Sequence, residues 1–144
     1  AMTTYLTVDA SFIVKLILPN DQQPHYLAKM ASWQVNNYQL CAPMLWAYEV
    51  TSVFSKLVHF GQLTEASGQE SVQLAFDLGI ELFPTDWVQS QKAFVWTRRL
   101  KRGAAYDSYY LALAEQLGAE LWTADKRLVN AAGLSWVKSV EGLT

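Results

Sequence analysis

The sequence predicts an α/β domain in which a parallel sheet is covered by helices on both faces. Short β-rich apolar runs alternate along the chain with longer segments of helical periodicity. Strands separated by helices favour parallel pairing through right-handed crossovers, and strands this short and apolar suit burial on both sides. No repeat or linker interrupts residues 2–144, so we expect one domain; Ala1, ahead of Met2, is interpreted as a cloning remnant.

Three strands and four helices are predicted in the first half of the chain. Pro19 ends the first helix, and Pro24 occupies a favourable first-turn position in the second. The third helix places Trp46 and Val50 on an apolar stripe of 3.6-residue period and stops at Gly61. In chain order these elements are a strand at 4–8, helices at 12–17 and 24–36, a strand at 39–42, helices at 44–60 and 64–78, and a strand at 80–83.

The second half of the chain continues the alternation. Asp86 is interpreted as the N-cap of a helix that runs to the basic cluster before Gly103, and Gly118 ends the next helix. The remaining predicted elements are a helix at 107–117, a strand at 120–123, a short helix at 126–132 and a strand near 135–137.

Composition indicates a large apolar interior and few charges. Hydrophobic residues make up 51% of the chain and charged residues 17%, against roughly 25% charged in an average soluble protein. No apolar run approaches the ~20 residues that span a bilayer, and no secretory leader is recognisable. The single Cys41 excludes an internal disulfide. We therefore expect a cytoplasmic protein without membrane association, and the net charge of −2 argues against generic affinity for nucleic acid.

Four acidic residues stand where a functional crevice is expected. In a parallel sheet the crevice lies beyond the carboxyl ends of the strands. Asp9 follows the first strand directly, and Asp125 follows the fourth after one intervening residue. Asp107 begins the helix that leads into the fourth strand. On a helical wheel, both Asp107 and Glu49 lie at the border of an apolar stripe, from which an acid can reach a crevice while its helix stays anchored in the core.

Each of these acids also has a purely structural interpretation. Asp9, Asp107 and Asp125 precede helices, where an N-cap Asp contributes around 1 kcal/mol. Glu49 fits a solvated helix position. The sequence leaves both interpretations open, although capping alone does not explain why so charge-poor a chain places acids at these points.

If the four acids meet, their mutual repulsion must be relieved. Two carboxylates about 4 Å apart repel by roughly 4 kcal/mol at an effective dielectric constant of about 20, so such a cluster takes up protons or binds a cation. An all-oxygen donor set favours Mg²⁺ or Mn²⁺ over zinc. A divalent ion held in this way suits phosphodiester hydrolysis. Ser11 and Thr123 are placed to hydrogen-bond to such ligands, or are ordinary hydroxyls at a helix start and a strand end.

Four motifs carry a family resemblance. They are VDAS at 8–11, YEV at 48–50, YDSYYLALAE at 106–115 and TADKRL at 123–128, and the last two, joined by LGAELW, are the most specific. In order and spacing over nearly the whole chain, they resemble the acidic motifs of PIN-domain ribonucleases, most closely the VapC-type toxins of bacterial toxin–antitoxin pairs. The resemblance implies a catalytic, metal-binding quartet with two supporting hydroxyls, namely Asp9, Glu49, Asp107 and Asp125 with Ser11 and Thr123.

The resemblance also implies a fold, an activity and partners. The fold is a three-layer α/β/α PIN-like domain with a parallel five-stranded sheet. The activity is cleavage of RNA that depends on Mg²⁺ or Mn²⁺. The implied partners are a second copy of the chain and a VapB-like antitoxin whose tail enters the groove. One departure from the family pattern is Ser108, where a small Ala is common.

Basic residues near the acids are candidates for RNA binding. Four of the 11 basic residues fall within five positions ahead of Asp107, which suits phosphate contacts or, alternatively, a solvated helix end that complements the helix dipole. Others are expected near the rim that carries Asp9 and Asp125. The predicted phosphate contacts are Lys15, Arg98, Arg99, Lys101, Arg102, Lys126 and Arg127.

Two further functions compete with a metal-dependent endoribonuclease. A signalling receiver domain also gathers acids at strand ends, but it needs an acidic pair after the first strand, where this chain has Ala10 and Ser11 behind Asp9. A non-catalytic PIN-like binding module is the other, and the intact quartet argues against it. No G-x-S-x-G, Walker A or G-x-G-x-x-G motif is present, and His25 and His59 lack the partners of a catalytic triad. The sequence therefore favours the ribonuclease.

Overall fold

The computed structural model describes residues 2–102 and 105–142 and confirms the three-layer α/β/α fold. Its strands are β1 (Tyr5–Val8), β2 (Gln39–Pro43), β3 (Glu81–Phe83), β4 (Glu120–Trp122) and β5 (Val137–Lys138). Its helices are α1 (Ala10–Ile17), α2 (Gln23–Val35), α3 (Leu45–His59), α4 (Glu65–Phe76), α5 (Trp87–Arg99), α6 (Tyr106–Leu117) and α7 (Lys126–Ala132), and a 3₁₀ turn (Val140–Gly142) comes after them.

The five strands form one parallel sheet in the order β3-β2-β1-β4-β5. β1 is central, and the chain builds outward from it in one direction through β2 and β3, then returns to add β4 and β5 on its other side. The strand order therefore reverses between β1 and β4, which is where open α/β sheets leave a crevice for ligands. Val8 pairs opposite Trp122, so the residues after both strands emerge side by side.

Helices cover both faces of the sheet. α6 lies over β1, β2 and β4 and packs against α5, while α1 packs against α2, α3 and α4. The core between these layers is apolar, and it includes fully buried Val8, Ile13, Leu111 and Leu121. Two helices thus carry their border acids along rigid, buried stripes, α3 with Glu49 and α6 with Asp107.

The predicted elements are confirmed, with small shifts at their ends. The last strand was expected near 135–137 but occupies Val137–Lys138, because a turn closed by a hydrogen bond from the Val137 amide to the Leu134 carbonyl comes first. Gly118 ends α6 in the left-handed conformation, as expected for a glycine helix stop. The predicted stop at Gly103 lies outside the described residues.

Capping explains three of the Asp residues at helix starts but not the fourth. Asp9, Asp86 and Asp125 are N-caps whose carboxylates accept hydrogen bonds from amides of the first turn of α1, α5 and α7. α6 instead begins at Tyr106, with Ala105 as an N-cap that makes no side-chain hydrogen bond. The capping interpretation of Asp107 is therefore wrong, since Asp107 lies inside the first helical turn.

Candidate active site

A pocket of about 420 Å³ opens at the carboxyl ends of β1 and β4. Four acidic side chains line it, each supplied by a different junction or helix: the β1–α1 junction, α3, α6 and the β4–α7 junction. These acids are Asp9, Glu49, Asp107 and Asp125, and Ser11, Lys15 and Tyr110 line the same pocket. The four positions singled out in the sequence therefore do converge, although 116 positions separate the first from the last.

Asp9 is the most deeply buried of the four acids, with 6% of its surface exposed. Its Oδ1 accepts hydrogen bonds from the Ser11 hydroxyl at 2.7 Å and from the Phe12 amide at 3.0 Å. Its Oδ2 accepts a short hydrogen bond from the Thr123 hydroxyl. Both carboxylate oxygens are thus held by the protein, which fixes the orientation of Asp9 at the floor of the pocket.

The two hydroxyls also lock the ends of β1 and β4 together. The Ala124 amide donates to Ser11 Oγ at 3.0 Å, and the Asp125 amide donates to Thr123 Oγ1 at 3.0 Å. Each hydroxyl accepts from an amide after β4 and directs its single proton to Asp9. The 3.2 Å approach of the two hydroxyl oxygens to each other results from this shared acceptor.

Burial raises the pKa of Asp9 to about 6, because the charged form loses its hydration. The hydrogen bonds from Thr123, Ser11 and the Phe12 amide act in the opposite direction, and the charge of Asp107 adds to the rise. Near neutral pH the carboxyl is therefore close to its titration range, as expected for an acid that either holds a proton or faces a cation.

Glu49 meets a partner that the sequence alone did not identify. The Tyr110 hydroxyl donates to Glu49 Oε1 at 2.6 Å, and the Tyr110 side chain is 1% exposed. Burial and the charge of Asp107 raise the pKa of Glu49, whereas the Tyr110 hydrogen bond lowers it. The available signal was spacing, because Tyr110 lies three residues after Asp107 and hence on the same face of α6.

Asp107 is half-buried and paired with a cation. Its Oδ2 lies 2.5 Å from Arg102 Nη1, with 36% and 29% of the two side chains exposed. Burial and the charge of Asp125 raise the pKa of Asp107, and Arg102 lowers it. Since Asp107 raises the pKa of both Asp9 and Glu49 as well, the acids of the pocket interact electrostatically with one another.

Three of the four carboxylates leave one oxygen without a protein donor among the described residues. Asp125 Oδ1 receives the amides of Arg127 and Leu128, at 2.9 and 3.3 Å, while its Oδ2 receives none. Glu49 and Asp107 likewise use one oxygen each. Within residues 2–102 and 105–142, no group of three Asp, Glu, His or Cys side chains lies close enough together to hold one metal ion. The donor chemistry of the pocket fits a hard cation, while the present positions reflect separate protein partners.

Two of the seven predicted phosphate contacts lie at the pocket, and the other five do not line it. Lys15 lines the pocket, and Arg102 reaches it through Asp107. The guanidinium of Arg99 instead lies over the Trp96 ring, 4.9 Å from its centroid. The remaining four, all exposed, do not line the pocket: Arg98, Lys101, Lys126 and Arg127.

A family comparison matches the description "PIN domain" over residues 7–140. The chain belongs to the PIN domain family. The matched segment contains all four acids, the last two residues of β1 and the whole of the other four strands. In a search of curated proteins, no sequence matches the chain.

Solved PIN-like structures share the fold at low sequence identity. PAE2754 from Pyrobaculum aerophilum is 20% identical with a TM-score of 0.72, over 98% of this chain and 86% of that chain. VapBC2 from Rickettsia felis, bound to a DNA fragment from its promoter, is 13% identical with a TM-score of 0.71, over 94% and 98%. VapC20 of Mycobacterium tuberculosis, described as a toxin that cleaves the sarcin–ricin loop, is 13% identical with a TM-score of 0.64, over 92% and 98%. The TM-scores establish a common fold, and at identities this low they establish the fold alone.

The described part of this PIN domain contains no helix that is both long and apolar enough to cross a membrane. This finding concerns residues 2–102 and 105–142.

The raised pKa of Asp9 predicts how the stability of the metal-free PIN domain changes with pH. Between its ordinary pKa of 3.8 and about 6, the native state keeps a proton that the unfolded chain has lost. The free energy of unfolding therefore falls as pH rises through this window, with on the order of 3 kcal/mol arising from Asp9. Asp9→Asn should flatten this slope when urea unfolding is followed in EDTA from pH 4 to 7.

Asp86→Asn is the matched control for this measurement, because it changes another N-cap in the same way outside the pocket. It should keep the wild-type slope. An unchanged slope in Asp9→Asn would show that Asp9 does not carry the proton.

Tyr110→Phe tests the hydrogen bond to Glu49. Removing the hydroxyl leaves a partly buried carboxylate without its donor, so the metal-free protein should lose roughly 1.5–3 kcal/mol of unfolding free energy in urea. Tyr109→Phe is the control, since its hydroxyl faces only the neutral Ser90 hydroxyl at 2.9 Å and its loss should cost about 0.5–1.5 kcal/mol. Equal losses in the two variants would contradict a charged acceptor at Tyr110.

Proposed function

We propose that this PIN domain is a divalent-metal-dependent endoribonuclease of the VapC type, which hydrolyses RNA phosphodiester bonds in the cytoplasm. One observation carries the proposal. Asp107 caps no helix, yet its half-buried carboxylate lines the same pocket as Asp9, Glu49 and Asp125. A chain with only 13 acidic residues places four of them around one pocket at the switch point of its sheet. Clustered carboxylates of this kind require protons or a cation.

The pocket suits Mg²⁺ or Mn²⁺ by its donor set, which consists of carboxylate oxygens. The residues that would hold the ion are Asp9, Glu49, Asp107 and Asp125, with Ser11 and Thr123 in support. When bound, a divalent ion supplies an activated water and stabilises the charge on a leaving oxygen.

The chain's own residues prepare the pocket for this chemistry. Ser11 and Thr123 hold Asp9 in one orientation, and Tyr110 holds Glu49. Glu49, Asp107 and Asp125 each have one carboxylate oxygen that accepts no hydrogen bond from the described residues and is available to a ligand. Lys15 lies in the pocket wall, where its ammonium can pair with a phosphate oxygen.

We further propose that a VapB-like antitoxin controls this activity. Support comes from the fold shared with a solved toxin–antitoxin complex from Klebsiella pneumoniae. The test is to examine the genes that flank this one for a small reading frame and to co-express its product with this chain. The two should purify together and RNA cleavage should be suppressed; separate elution would contradict the pairing.

A homodimer is also proposed, and exposed apolar side chains on α5 support it. Trp87 is 75% and Phe94 66% exposed, seven residues apart on the same helix face. Phe94→Arg should therefore shift the mass measured by light scattering from dimer to monomer, because a charge would be buried at the contact. Leu74→Arg, which alters an exposed residue on α4, should not. A monomeric wild type would contradict the homodimer.

Cleavage of total cellular RNA tests the nuclease. The purified protein should give discrete fragments with Mg²⁺ or Mn²⁺ and none with EDTA. Asp107→Asn should reduce the rate by roughly 100-fold or more, in line with the loss of a key catalytic electrostatic group. Its free energy of unfolding without metal should stay within about 1 kcal/mol of wild type, because the lost pair with Arg102 is partly exposed.

Asp86→Asn is the control in this assay, since Asp86 also follows a strand but caps α5 outside the pocket. It should retain wild-type cleavage. Full activity in Asp107→Asn would contradict the assigned site. A wild type that neither cleaves RNA nor binds Mn²⁺ would support the non-catalytic binding module instead.

A further inference from the structure

We propose that Arg102 is an internal counter-ion of this site with two alternative partners. In the metal-free protein it neutralises Asp107, and when Asp107 serves as a metal ligand it pairs with an RNA phosphate. The second half of this inference rests on the proposed nuclease function. The first half concerns only residues of this chain and is testable without RNA.

The end of α5 fixes where Arg102 lies. Leu100 is the C-cap of α5, and Lys101 adopts the left-handed conformation with φ of 55°. The Lys101 amide donates to the Arg98 carbonyl at 3.2 Å, and the Arg102 amide donates to the Thr97 carbonyl at 3.1 Å. This pattern is a Schellman motif, in which glycine normally takes the left-handed position. The tight stop turns the chain back so that Arg102 faces the first turn of α6.

Among the described basic residues, Arg102 alone forms an ion pair with an acid of the pocket. The two other ion pairs, between Lys92 and Glu115 and between Lys138 and Glu120, lie elsewhere. Arg102 reaches Asp107 through a single contact, from Nη1 to Oδ2. A guanidinium carries five N–H donors, and among residues 2–102 and 105–142 Asp107 is the one acceptor that the Arg102 side chain uses. A planar, bidentate donor of this kind is well suited to phosphate.

The positions of these charges oppose binding of a metal ion by Asp107. Arg102 occupies one oxygen of that carboxylate, and its positive charge repels a divalent cation that shares the ligand. The same charge attracts RNA phosphates. Removal of Arg102 should therefore strengthen metal binding and weaken RNA binding. A residue with a merely structural role would weaken both.

The experiment compares the wild-type chain, Arg102→Gln and Lys92→Gln at pH 8. Lys92→Gln is matched, because it removes a cation that pairs with a different acid of α6, Glu115, which does not line the pocket. The side chains of Lys92 and Glu115 are 39% and 40% exposed. Titration calorimetry with Mn²⁺ alone should show at least tenfold tighter binding for Arg102→Gln and a change below twofold for Lys92→Gln. With saturating Mn²⁺, the KM for RNA should rise at least tenfold in Arg102→Gln only.

Arg102→Lys separates charge from shape. It should keep the wild-type Mn²⁺ affinity, since the charge is retained, while raising the KM for RNA because the bidentate contact is lost. Unchanged or weaker Mn²⁺ binding by Arg102→Gln would overturn the counter-ion role. Tighter Mn²⁺ binding without RNA cleavage in any variant would uphold the pairing with Asp107 and overturn the phosphate contact together with the nuclease. A wild type that binds no Mn²⁺ would remove both proposals.

Discussion

The parallel pairing of β1 with β4 is the constraint on which the site depends. Because Val8 lies opposite Trp122, Asp9 and Thr123 leave the sheet as neighbours, and the Thr123 hydroxyl donates to Asp9. Ser11, in the first turn of α1, makes a second connection, donating to Asp9 and accepting from the Ala124 amide. A shift of one residue in this register would turn Asp9 and Thr123 to opposite faces, and the hydrogen bond between them at the base of the pocket would be lost.

Repulsion among the clustered carboxylates lowers the stability of the metal-free fold. Each of the four acids has its own protein partner that reduces this cost. Asp9 has two hydroxyls and an amide, Glu49 has a buried tyrosine, and Asp107 has an arginine. Asp125 has two amides in the first turn of α7, at the positive end of a short helix. These separate partners keep the four charges apart within one pocket.

The sequence predicts the fold and the positions of the acids well because both depend on local signals. Glycine and proline stops, apolar periodicity and the placement of Asp9 and Asp125 after strands are all readable along the chain. Contacts across elements are not readable in this way. Tyr110 and Glu49 are 61 positions apart, and no local sequence pattern predicts the hydrogen bond between them. Arg102 belongs to a basic run that suggests surface contacts, whereas a non-glycine left-handed turn at Lys101 directs it to Asp107. Of the two interpretations left open for Asp107, capping is excluded because α6 begins at Tyr106, two residues earlier than a helix capped by Asp107 would.

The proposed nuclease depends on the binding of a divalent ion by acids of this pocket. A crystal of the protein grown with Mn²⁺ and measured at the manganese absorption edge tests it most directly. We expect one anomalous peak in the pocket, about 2.0–2.3 Å from oxygens of Asp9, Asp107 and at least one of Glu49 and Asp125. An occupied peak elsewhere, or an empty pocket with Arg102 still paired to Asp107 at saturating Mn²⁺, would contradict it.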